Sequence, residues 1–358
     1  MKKFVAVLLV ALMTLSLAAC GSSSSGTSDS NSSGTDSGSS SSSSSSSSTD
    51  YSKLKVGFLI PGSPTDGGFS QRAVEAAEDL KTKYPGCQTS VVQAATAEEI
   101  KQEASNMADS GFTIVFGHGG QCSSPFKEIC ADYPDVWFGT MGGQERDSNL
   151  FEVNMCFEQI TYVIGAAAAL TSNSGVIAWQ TGGDYASYTK TTNSYELGAK
   201  SVKSDIQVKG QVLSSTDPTE GYETALSQID AGASFVLSNT NEAQSGAVKA
   251  CKEKGVYTCG VLGAFKDQAP DQVMIDTFVS YSKAYQVAVQ EVLDGKVEQQ
   301  IDITPQKYPD IMTWEWNDTV KSALSADVVS KVESIWSDVK AGNVKIPDEF
   351  EYGATLNK

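Results

Sequence analysis

Histidine and basic side chains are scarce in this sequence of 358 residues. The single histidine, His118, excludes most histidine-based metal clusters and most acid–base catalysis by imidazole, so we expect neither a metal nor another cofactor. Lys and Arg number 26 against 43 Asp and Glu, for a formal net charge of −17. Because nucleic-acid binding needs a clustered cationic surface, this balance argues against nucleic acid as a partner.

The amino terminus has an apolar segment that is too short to span a bilayer, which takes about 20 residues. Two lysines precede the segment, which runs from Phe4 to Leu12. This arrangement predicts an export signal rather than a permanent transmembrane helix. The following Leu-Ala-Ala-Cys20-Gly resembles the lipobox of bacterial lipoproteins. The resemblance implies a signal peptide at residues 1–19, lipidation of Cys20 and a position at the extracytoplasmic face of the cell membrane.

Residues 20–50 are predicted to form a disordered tether that begins at the lipidated cysteine. Serine crowds this stretch, with an unbroken run from Ser39 to Ser48. Such a composition buries no apolar area, so it does not fold, and a flexible coil of this length spans about 30 Å. Because the acidic chain offers no basic patch to an anionic membrane, we expect the lipid alone to anchor it.

Six cysteines remain once Cys20 is set aside. An even number in an exported protein permits up to three disulfides, in fifteen possible pairings. Small buried thiols are the alternative, and the sequence leaves both open. Cys-x-x-Cys spacing is missing, which argues against zinc and thioredoxin-like redox sites. The six are Cys87, Cys122, Cys130, Cys156, Cys251 and Cys259.

Short apolar runs alternate with longer amphipathic stretches from Lys55 onward, which predicts a parallel sheet covered by helices on both faces. The apolar runs are read as strands and the amphipathic stretches as helices. The predicted strands are 55–60, 89–92, 113–116 and 136–139, and the predicted helices are 69–83, 97–109 and 124–132.

The sequence also repeats itself. At an offset of 121 residues, the segment from Asp109 to Phe116 lies over the segment from Asp230 to Leu237. At the same offset Cys130 falls on Cys251. We therefore predict an α/β fold of two similar lobes. Residues 51–165 and about 280–358 are assigned to the first lobe and residues 166–279 to the second.

Ligands of open α/β sheets bind just beyond the carboxyl ends of the strands, so a cleft between the two lobes is the predicted site. The candidate residues follow the strands in Gly-rich, aromatic and amide-rich turns, which suit stacking on a flat ligand with hydrogen bonds at its edge. In the first lobe they are Asp66, Phe69, Ser70, His118, Gly119, Gln121 and Ser124. In the second they are Trp179, Asp184, Tyr185, Asn239, Asn241, Gly263 and Phe265.

Each candidate also has a structural interpretation. Phe69 stacks on the ligand or packs in the core. His118 hydrogen-bonds the edge of a ligand ring or satisfies the backbone of a turn. Trp179 forms the second face of an aromatic clamp or closes the core of the second lobe. Asp184 contacts the ligand or is a solvated loop residue, and Asn239 and Asn241 recognise an amide or are turn residues.

Four segments resemble the basic membrane protein family of ABC-transporter substrate-binding lipoproteins, which includes purine nucleoside receptors. They are Thr65-Asp-Gly-Gly-Phe-Ser-Gln71, Tyr133-Pro-Asp-Val-Trp-Phe138, the Ala-rich stretch from Thr161 to Ala169, and Lys252-Glu-Lys-Gly-Val256. The resemblance covers about residues 53–295. It implies a type I periplasmic-binding-protein fold, with two doubly wound parallel-sheet lobes joined by a hinge and closing on a ligand. It also implies that Phe69 stacks on a heterocycle and that Asp66 lies at the mouth of the pocket.

Three positions depart from the family's nucleoside receptors. Ser124 and the segment Val261-Leu262-Gly263 stand where these receptors have Asp groups that hold ribose hydroxyls. Ser280 stands in place of a lysine on the return crossover, with Lys283 nearby. The resemblance, with these departures, favours a nucleobase or another flat polar metabolite over a ligand that carries a sugar.

The predicted function is therefore that of a monomeric, lipid-anchored substrate-binding component of an ABC importer. It captures a purine nucleobase or nucleoside and delivers it to a permease, and an ATPase subunit supplies the energy. The alternatives are a sensory lipoprotein that signals to a membrane receptor and a binding protein for a sugar-like ligand. A hydrolase is the remote alternative. It would have to use Ser123 or Ser124 with His118, without a nucleophile-elbow pattern, so we expect no enzyme.

Overall fold

The computed structural model describes residues 50–65, 68–183 and 186–347. Several predicted features lie outside these residues: the signal peptide, the lipidated Cys20, the tether up to residue 49, and the candidate site residues Asp66, Asp184 and Tyr185. The segment after residue 347 also lies outside them.

Six strands form the first sheet, in the order β11-β5-β4-β3-β1-β2, and every neighbouring pair is parallel. Its strands are β1 (Lys55–Ile60), β2 (Gln88–Gln93), β3 (Ile114–Gly117), β4 (Trp137–Met141), β5 (Leu150–Met155) and β11 (Gln300–Ile303). The connecting helices are α1 (Phe69–Lys83), α2 (Ala97–Asp109) and α3 (Ser123–Ile129), with 3₁₀ turns on either side of α3.

The second sheet has the order β12-β10-β9-β8-β6-β7 and is parallel except for the edge strand β12, which pairs antiparallel with β10. Its strands are β6 (Val176–Thr181), β7 (Gln207–Val212), β8 (Phe235–Asn239), β9 (Tyr257–Gly260), β10 (Val273–Val279) and β12 (Met312–Trp316). The helices of this half are α4 (Glu158–Thr171), α5 (Ala186–Val202), α6 (Pro218–Asp230) and α7 (Ala243–Lys254).

The repeat in the sequence corresponds to a repeat in the structure. An offset of 121 residues carries α2 onto α6, with both ends in register, and carries the start of β3 onto the start of β8. Both strands take the same place, between the first and fourth strands of their halves. The predicted α/β fold of two parallel-sheet lobes is confirmed.

Apolar strands give each sheet its core. In β1 and β3 nearly every side chain is buried, because helices cover both faces of the sheet. Local signals fix the helix ends: α2 begins with a capping box in which Thr96 and Glu99 satisfy each other's backbone N–H groups. The bounds of β1, α1 and α2 agree with the sequence-based prediction, whereas those of β2, β3, β4 and α3 differ from it by one to three residues.

Three chain segments connect the lobes. The first leads from β5 into α4, which packs along α5 so closely that Gly165 lies against the carbonyl of Tyr195. The second leads from β10 into α8 (Tyr281–Asp294), which packs against α1 of the first lobe. The third leads from β11 to β12, followed by α9 (Asp318–Ala323) and α10 (Ala326–Lys340). The sequence-based division places everything after about residue 280 in the first lobe; in the structure α8 and β11 join the first lobe and β12 joins the second sheet.

All six cysteines outside the signal region are free and buried. Of the two sequence-based alternatives, the structure therefore has the small buried thiols and not the three disulfides. Burial raises the pKa of several of these thiols, among them Cys122 to about 12. In the described part of the chain, every helix is too short or too polar to cross a bilayer.

Candidate functional site

The candidate site of the first lobe lies where β1 and β3 end. Phe69, the first residue of α1, stacks on the His118 imidazole with ring centroids 3.8 Å apart and an interplanar angle of 22°. Tyr281, the first residue of α8, stands edge-on to both rings, at 5.6 Å from Phe69 and 5.4 Å from His118. Phe69 is partly exposed, so the protein does not fully enclose this aromatic group.

His118 lies behind Phe69 and has no exposed surface. Its Nε2 is 2.7 Å from the Phe69 carbonyl oxygen, and its Nδ1 is 2.7 Å from the Tyr285 hydroxyl. A carbonyl oxygen only accepts, so Nε2 carries a proton, and in the neutral ring Nδ1 accepts from Tyr285. The structure thus directs the imidazole into the protein. Of the two interpretations of His118, this geometry favours the structural one, and the ligand contact stays a prediction.

Ser70 is also directed into the protein. Its side chain is 2% exposed, and its Oγ accepts the backbone N–H of Gly62 at 3.0 Å. This bond draws the turn after β1 onto the first turn of α1. Ser70 therefore shapes the loop that leads to Phe69.

The loop after β3 contains the other candidates of the first lobe. Gly119 has φ +134°, a conformation that side chains rarely adopt, so glycine is required there. Gln121 and Ser124 are exposed, with Ser124 in the first turn of α3. Ser123 is buried, and its Oγ accepts the backbone N–H groups of Gln144 and Glu145 at 3.0 and 2.8 Å.

The hydrolase alternative requires a serine next to the imidazole. The Nδ1 atom of His118 is hydrogen-bonded to Tyr285, and its Nε2 atom is hydrogen-bonded to the Phe69 carbonyl. Ser123 is hydrogen-bonded to the loop after β4. The two groups thus have different partners and do not form a nucleophile–base pair.

In the second lobe, a backbone hydrogen bond joins the loop after β6 to the end of β8. The Asn239 side-chain amide donates to Thr191 Oγ1 at 3.4 Å, and the backbone carbonyl of Asn239 accepts the N–H of Gly182 at 3.1 Å. The side chain is 9% exposed, so it already satisfies part of its hydrogen-bonding capacity within the lobe. Asn241 is exposed and has φ +52°, a left-handed conformation that asparagine tolerates well. Its turn role is therefore realised in the structure.

The loop after β9 is organised by a carboxylate that sequence reasoning missed. Asp276 on β10 is 1% exposed and accepts the backbone N–H groups of Phe265 and Lys266 at 2.9 and 3.2 Å. Burial raises its pKa, against the effect of these two hydrogen bonds. Only glycine fits at position 260, because a Cβ there would collide with the Asp276 carboxylate.

Phe265 and Gly263 occupy this same loop. Gly263 pairs with Thr277 through an isolated antiparallel bridge, and the preceding Leu262 has φ +58°. Phe265 is half-buried and packs against Val248, Ala269 and Val273 in a small apolar cluster of the second lobe. The structure therefore gives Phe265 a packing role, and it leaves Gly263 in the loop beside β9.

Trp179 is part of β6 and does not follow it. It is 6% exposed, and its indole lies over Gly210, its partner residue on β7. The core interpretation of Trp179 fits this position, and the clamp interpretation does not, because the ring covers a neighbouring strand.

Tyr281 in the first lobe and Tyr188 in the second each lie beside a loop that follows a strand. Tyr281 starts α8 in the first lobe, and Tyr188 belongs to α5, where its hydroxyl lies beside Gly182. Burial raises the pKa of Tyr281, the neighbouring Tyr188 adds to this rise, and Arg72 opposes it. The site therefore includes tyrosines that sequence reasoning missed. The sequence signal for Tyr281 is its spacing from Tyr285, which places both tyrosines on one face of α8.

Lys283 does not take the place of the lysine that Ser280 lacks. Its Nζ forms an ion pair with Asp310 at 2.6 Å, with both side chains largely exposed. Ser280 caps α8, since its Oγ accepts the N–H of Lys283 at 3.3 Å. Across the residues with described positions, acidic side chains, cysteines and His118 form no cluster that could hold a metal ion.

The chain is similar in sequence to substrate-binding proteins of ABC transporters and to basic membrane proteins. A family model described as "ABC transporter substrate-binding protein PnrA-like" matches residues 53–350. A purine-binding protein of Brucella abortus is 25% identical over 246 residues, which cover 68% of this chain and 70% of that protein. Basic membrane protein D of Borreliella burgdorferi is 22% identical, over 83% of this chain and 89% of its own.

The fold is also similar to that of solved structures. A solute-binding protein of an ABC transporter system from Aeropyrum pernix superposes with a TM-score of 0.69 at 16% identity, covering 83% of this chain and 94% of that one. At this identity the likeness concerns the fold. The two-lobed fold of periplasmic binding proteins that the sequence predicts is therefore confirmed.

Proposed function

Since this chain belongs to the PnrA-like family of ABC transporter substrate-binding proteins, we propose that it captures a purine nucleobase or nucleoside between its lobes and delivers it to a membrane permease. The observation that carries the proposal is the aromatic group of Phe69, Tyr281 and His118 at the strand ends of the first lobe. The partly exposed ring of Phe69 offers a surface on which a flat heterocycle stacks. The purine-binding relative from Brucella abortus supports the choice of ligand class.

A nucleobase fits the polar groups of this site better than a nucleoside does. Ser124 is exposed at the start of α3, and Leu262 presents an apolar side chain, so neither position supplies a carboxylate for ribose hydroxyls. Ser280 serves as a helix cap. At the ends of β6 and β8, Thr181, Ser238 and Asn239 carry neutral hydroxyls and an amide, which match the donors and acceptors at a purine edge.

The proposal includes the route of delivery. Lipidation of Cys20 holds the protein at the extracytoplasmic face of the membrane, and the tether allows the folded part, as a monomer, to reach the permease. A partner ATPase supplies the energy of transport, since this sequence has no phosphate-binding loop. Asp66, Asp184 and Tyr185, which lie outside the described residues, are further ligand contacts in this proposal.

Isothermal calorimetry of the full chain in detergent, with adenine, guanosine, xanthine, ribose and glucose, tests the ligand class. We expect heat of binding from at least one purine and none from the simple sugars. Binding of a sugar without binding of any purine would refute the purine proposal and favour the sugar-like alternative. Uptake of labelled purine by cells, with and without the protein, separates an importer from a sensory lipoprotein, which would bind the ligand without changing its uptake.

A further inference from the structure

The buried imidazole of His118 is not needed as a ligand contact in the proposed function. Both of its ring nitrogens nevertheless have hydrogen-bond partners within the protein. The ring has no exposed surface, and it contacts three elements: α1 through Phe69, the end of β3 through its own backbone, and α8 through Tyr285. A buried polar ring whose nitrogens lack partners costs free energy, so these two hydrogen bonds stabilise the imidazole in its buried position.

We propose that His118 and Tyr285 are positioning residues that hold the Phe69 ring in the orientation needed to stack on the ligand. The inference rests on the proposed function, because it assumes that Phe69 is the stacking surface. Neither His118 nor Tyr285 needs to touch the ligand, since both are fully buried.

The geometry restrains Phe69 at two points. The imidazole lies flat against one face of the phenyl ring at 3.8 Å, so that face is closed and the ring cannot turn without separating the stack. The Nε2–H group of the same imidazole holds the Phe69 carbonyl at 2.7 Å, which fixes the backbone of the first residue of α1. Ring and backbone are therefore held by one side chain.

Tyr285 fixes the imidazole in turn. Its hydroxyl is 2.7 Å from Nδ1, and its ring is edge-on to Phe58 at 4.9 Å and tilted against Phe116 at 4.7 Å. Both phenylalanines belong to the core strands β1 and β3 and are fully buried. The restraint on Phe69 thus ends in the rigid core of the first lobe.

Such restraint raises affinity because a ring that is already ordered loses less conformational entropy when the ligand binds. The expected signature is energetic coupling. Removing the Tyr285 hydroxyl weakens ligand binding only as long as a phenyl ring is present at position 69. A purely structural role would affect binding equally with and without that ring.

A double-mutant cycle measures this coupling. Calorimetry of the full chain with adenine and with guanosine compares the parent protein, Tyr285→Phe, Phe69→Ala and the double variant. We expect Tyr285→Phe to weaken binding by about threefold to tenfold, as for the loss of one buried hydrogen bond, and to have no further effect in the Phe69→Ala background. Tyr195→Phe is the matched control. Tyr195 is an equally buried tyrosine of the second lobe, and among the described residues its hydroxyl has no hydrogen-bond partner, so its removal should leave both affinities unchanged.

His118→Phe provides a second cycle in case Tyr285→Phe does not fold. It keeps a flat ring against Phe69 and removes both hydrogen bonds, and it should behave as Tyr285→Phe does. Equal losses in both Phe69 backgrounds, or no loss from either variant while Phe69→Ala does weaken binding, would overturn the inference and leave the proposed function standing. If Phe69→Ala binds both purines as the parent protein does, Phe69 is not the stacking surface, and the inference fails while purine capture stands. If no purine binds to the parent protein, the proposed function fails and the inference with it.

Discussion

The carboxylate of Asp276 lies under the loop that follows β9 and accepts the backbone N–H of Phe265 at 2.9 Å. A second bond from Lys266 uses its other oxygen, so one side chain on β10 fixes two consecutive residues of a loop beside the candidate site. Since the group is 1% exposed, water cannot replace either bond without entering the protein.

We predict that Asp276→Ala lowers the free energy of unfolding by about 1–3 kcal/mol, because two backbone donors lose a charged acceptor. Asp276→Asn keeps one acceptor oxygen and should lose less. Urea unfolding followed by circular dichroism measures both. Asp271→Ala, at an exposed position just before β10, is the control and should leave stability unchanged. Equal stability of the Asp276→Ala and Asp271→Ala variants would show that the loop does not depend on the carboxylate.

A second prediction concerns the stacking surface. Phe69→Ala should weaken binding of a purine by about 1–3 kcal/mol, the range found when an aromatic platform under a base is removed. Phe69→Tyr keeps the ring and should bind nearly as the parent protein does. Calorimetry with adenine gives both values. Unchanged affinity of the alanine variant would assign Phe69 to packing alone.

A third prediction concerns the first connection between the lobes. Glu158, at the start of α4, is 2% exposed, and burial raises its pKa to about 7. Lys190 and Cys156 lower this pKa and Asp302 raises it further, but burial is the largest cause. The folded protein therefore holds this proton more tightly than the unfolded chain does.

The sign follows from that difference. The stabilisation is fully present below the ordinary pKa of 4.5 and is lost as the pH rises through about 7, by at most about 3 kcal/mol. Glu158→Gln should remove this loss, so that the variant exceeds the parent protein in stability at pH 8 and matches it near pH 4. Urea unfolding across this pH range tests it, with the exposed Glu223→Gln as control. Parallel pH profiles for the parent and Glu158→Gln would contradict the assignment.

A fourth prediction tests the packing of Trp179. Gly210→Ala places a methyl group against the indole and should destabilise the protein by about 1–3 kcal/mol, the usual cost of overpacking. Trp179→Phe should recover part of that loss in the Gly210→Ala background, since the smaller ring makes room. Thermal unfolding of the four proteins measures the recovery. Additive losses would mean that the two residues do not meet.

A fifth prediction tests the proposed anchor. Cys20→Ala should abolish incorporation of labelled fatty acid and move the protein from the membrane fraction to the soluble fraction of the cell envelope. Ser22→Ala, two residues along, should change neither. Membrane retention of the Cys20→Ala protein without label would point to a different anchor.

Most of the fold was predictable because its signals are local. The run Lys55–Ile60 is apolar on both faces and is bounded by turn residues, so the predicted strand and β1 have the same ends. The offset of 121 residues, which the sequence alone reveals, places α2 on α6. The antiparallel edge strand β12 was not predicted, because its partner β10 is set by tertiary pairing rather than by the pattern of the strand itself.

The candidate site was less predictable for the same reason. Whether His118 faces the ligand or the core depends on Tyr285, which lies 167 residues away in the sequence. Whether Trp179 is a clamp or a core residue depends on the register that sets Gly210 opposite it. Both facts follow from pairings over long distances in the chain, whereas Phe69 at a helix start beyond a strand could be identified from its neighbours.

The three segments that connect the lobes have a mechanical consequence. Two lobes joined by one connecting segment can rotate freely relative to each other. Three connecting segments at separate points leave bending about a single axis as the easiest motion. Any opening and closing of the cleft is then a movement along one path, which brings the same faces together each time. A chain that ended after β11 would lose the third connecting segment and the edge strand β12 at once, and the two remaining segments would restrain twisting of the lobes less than three do.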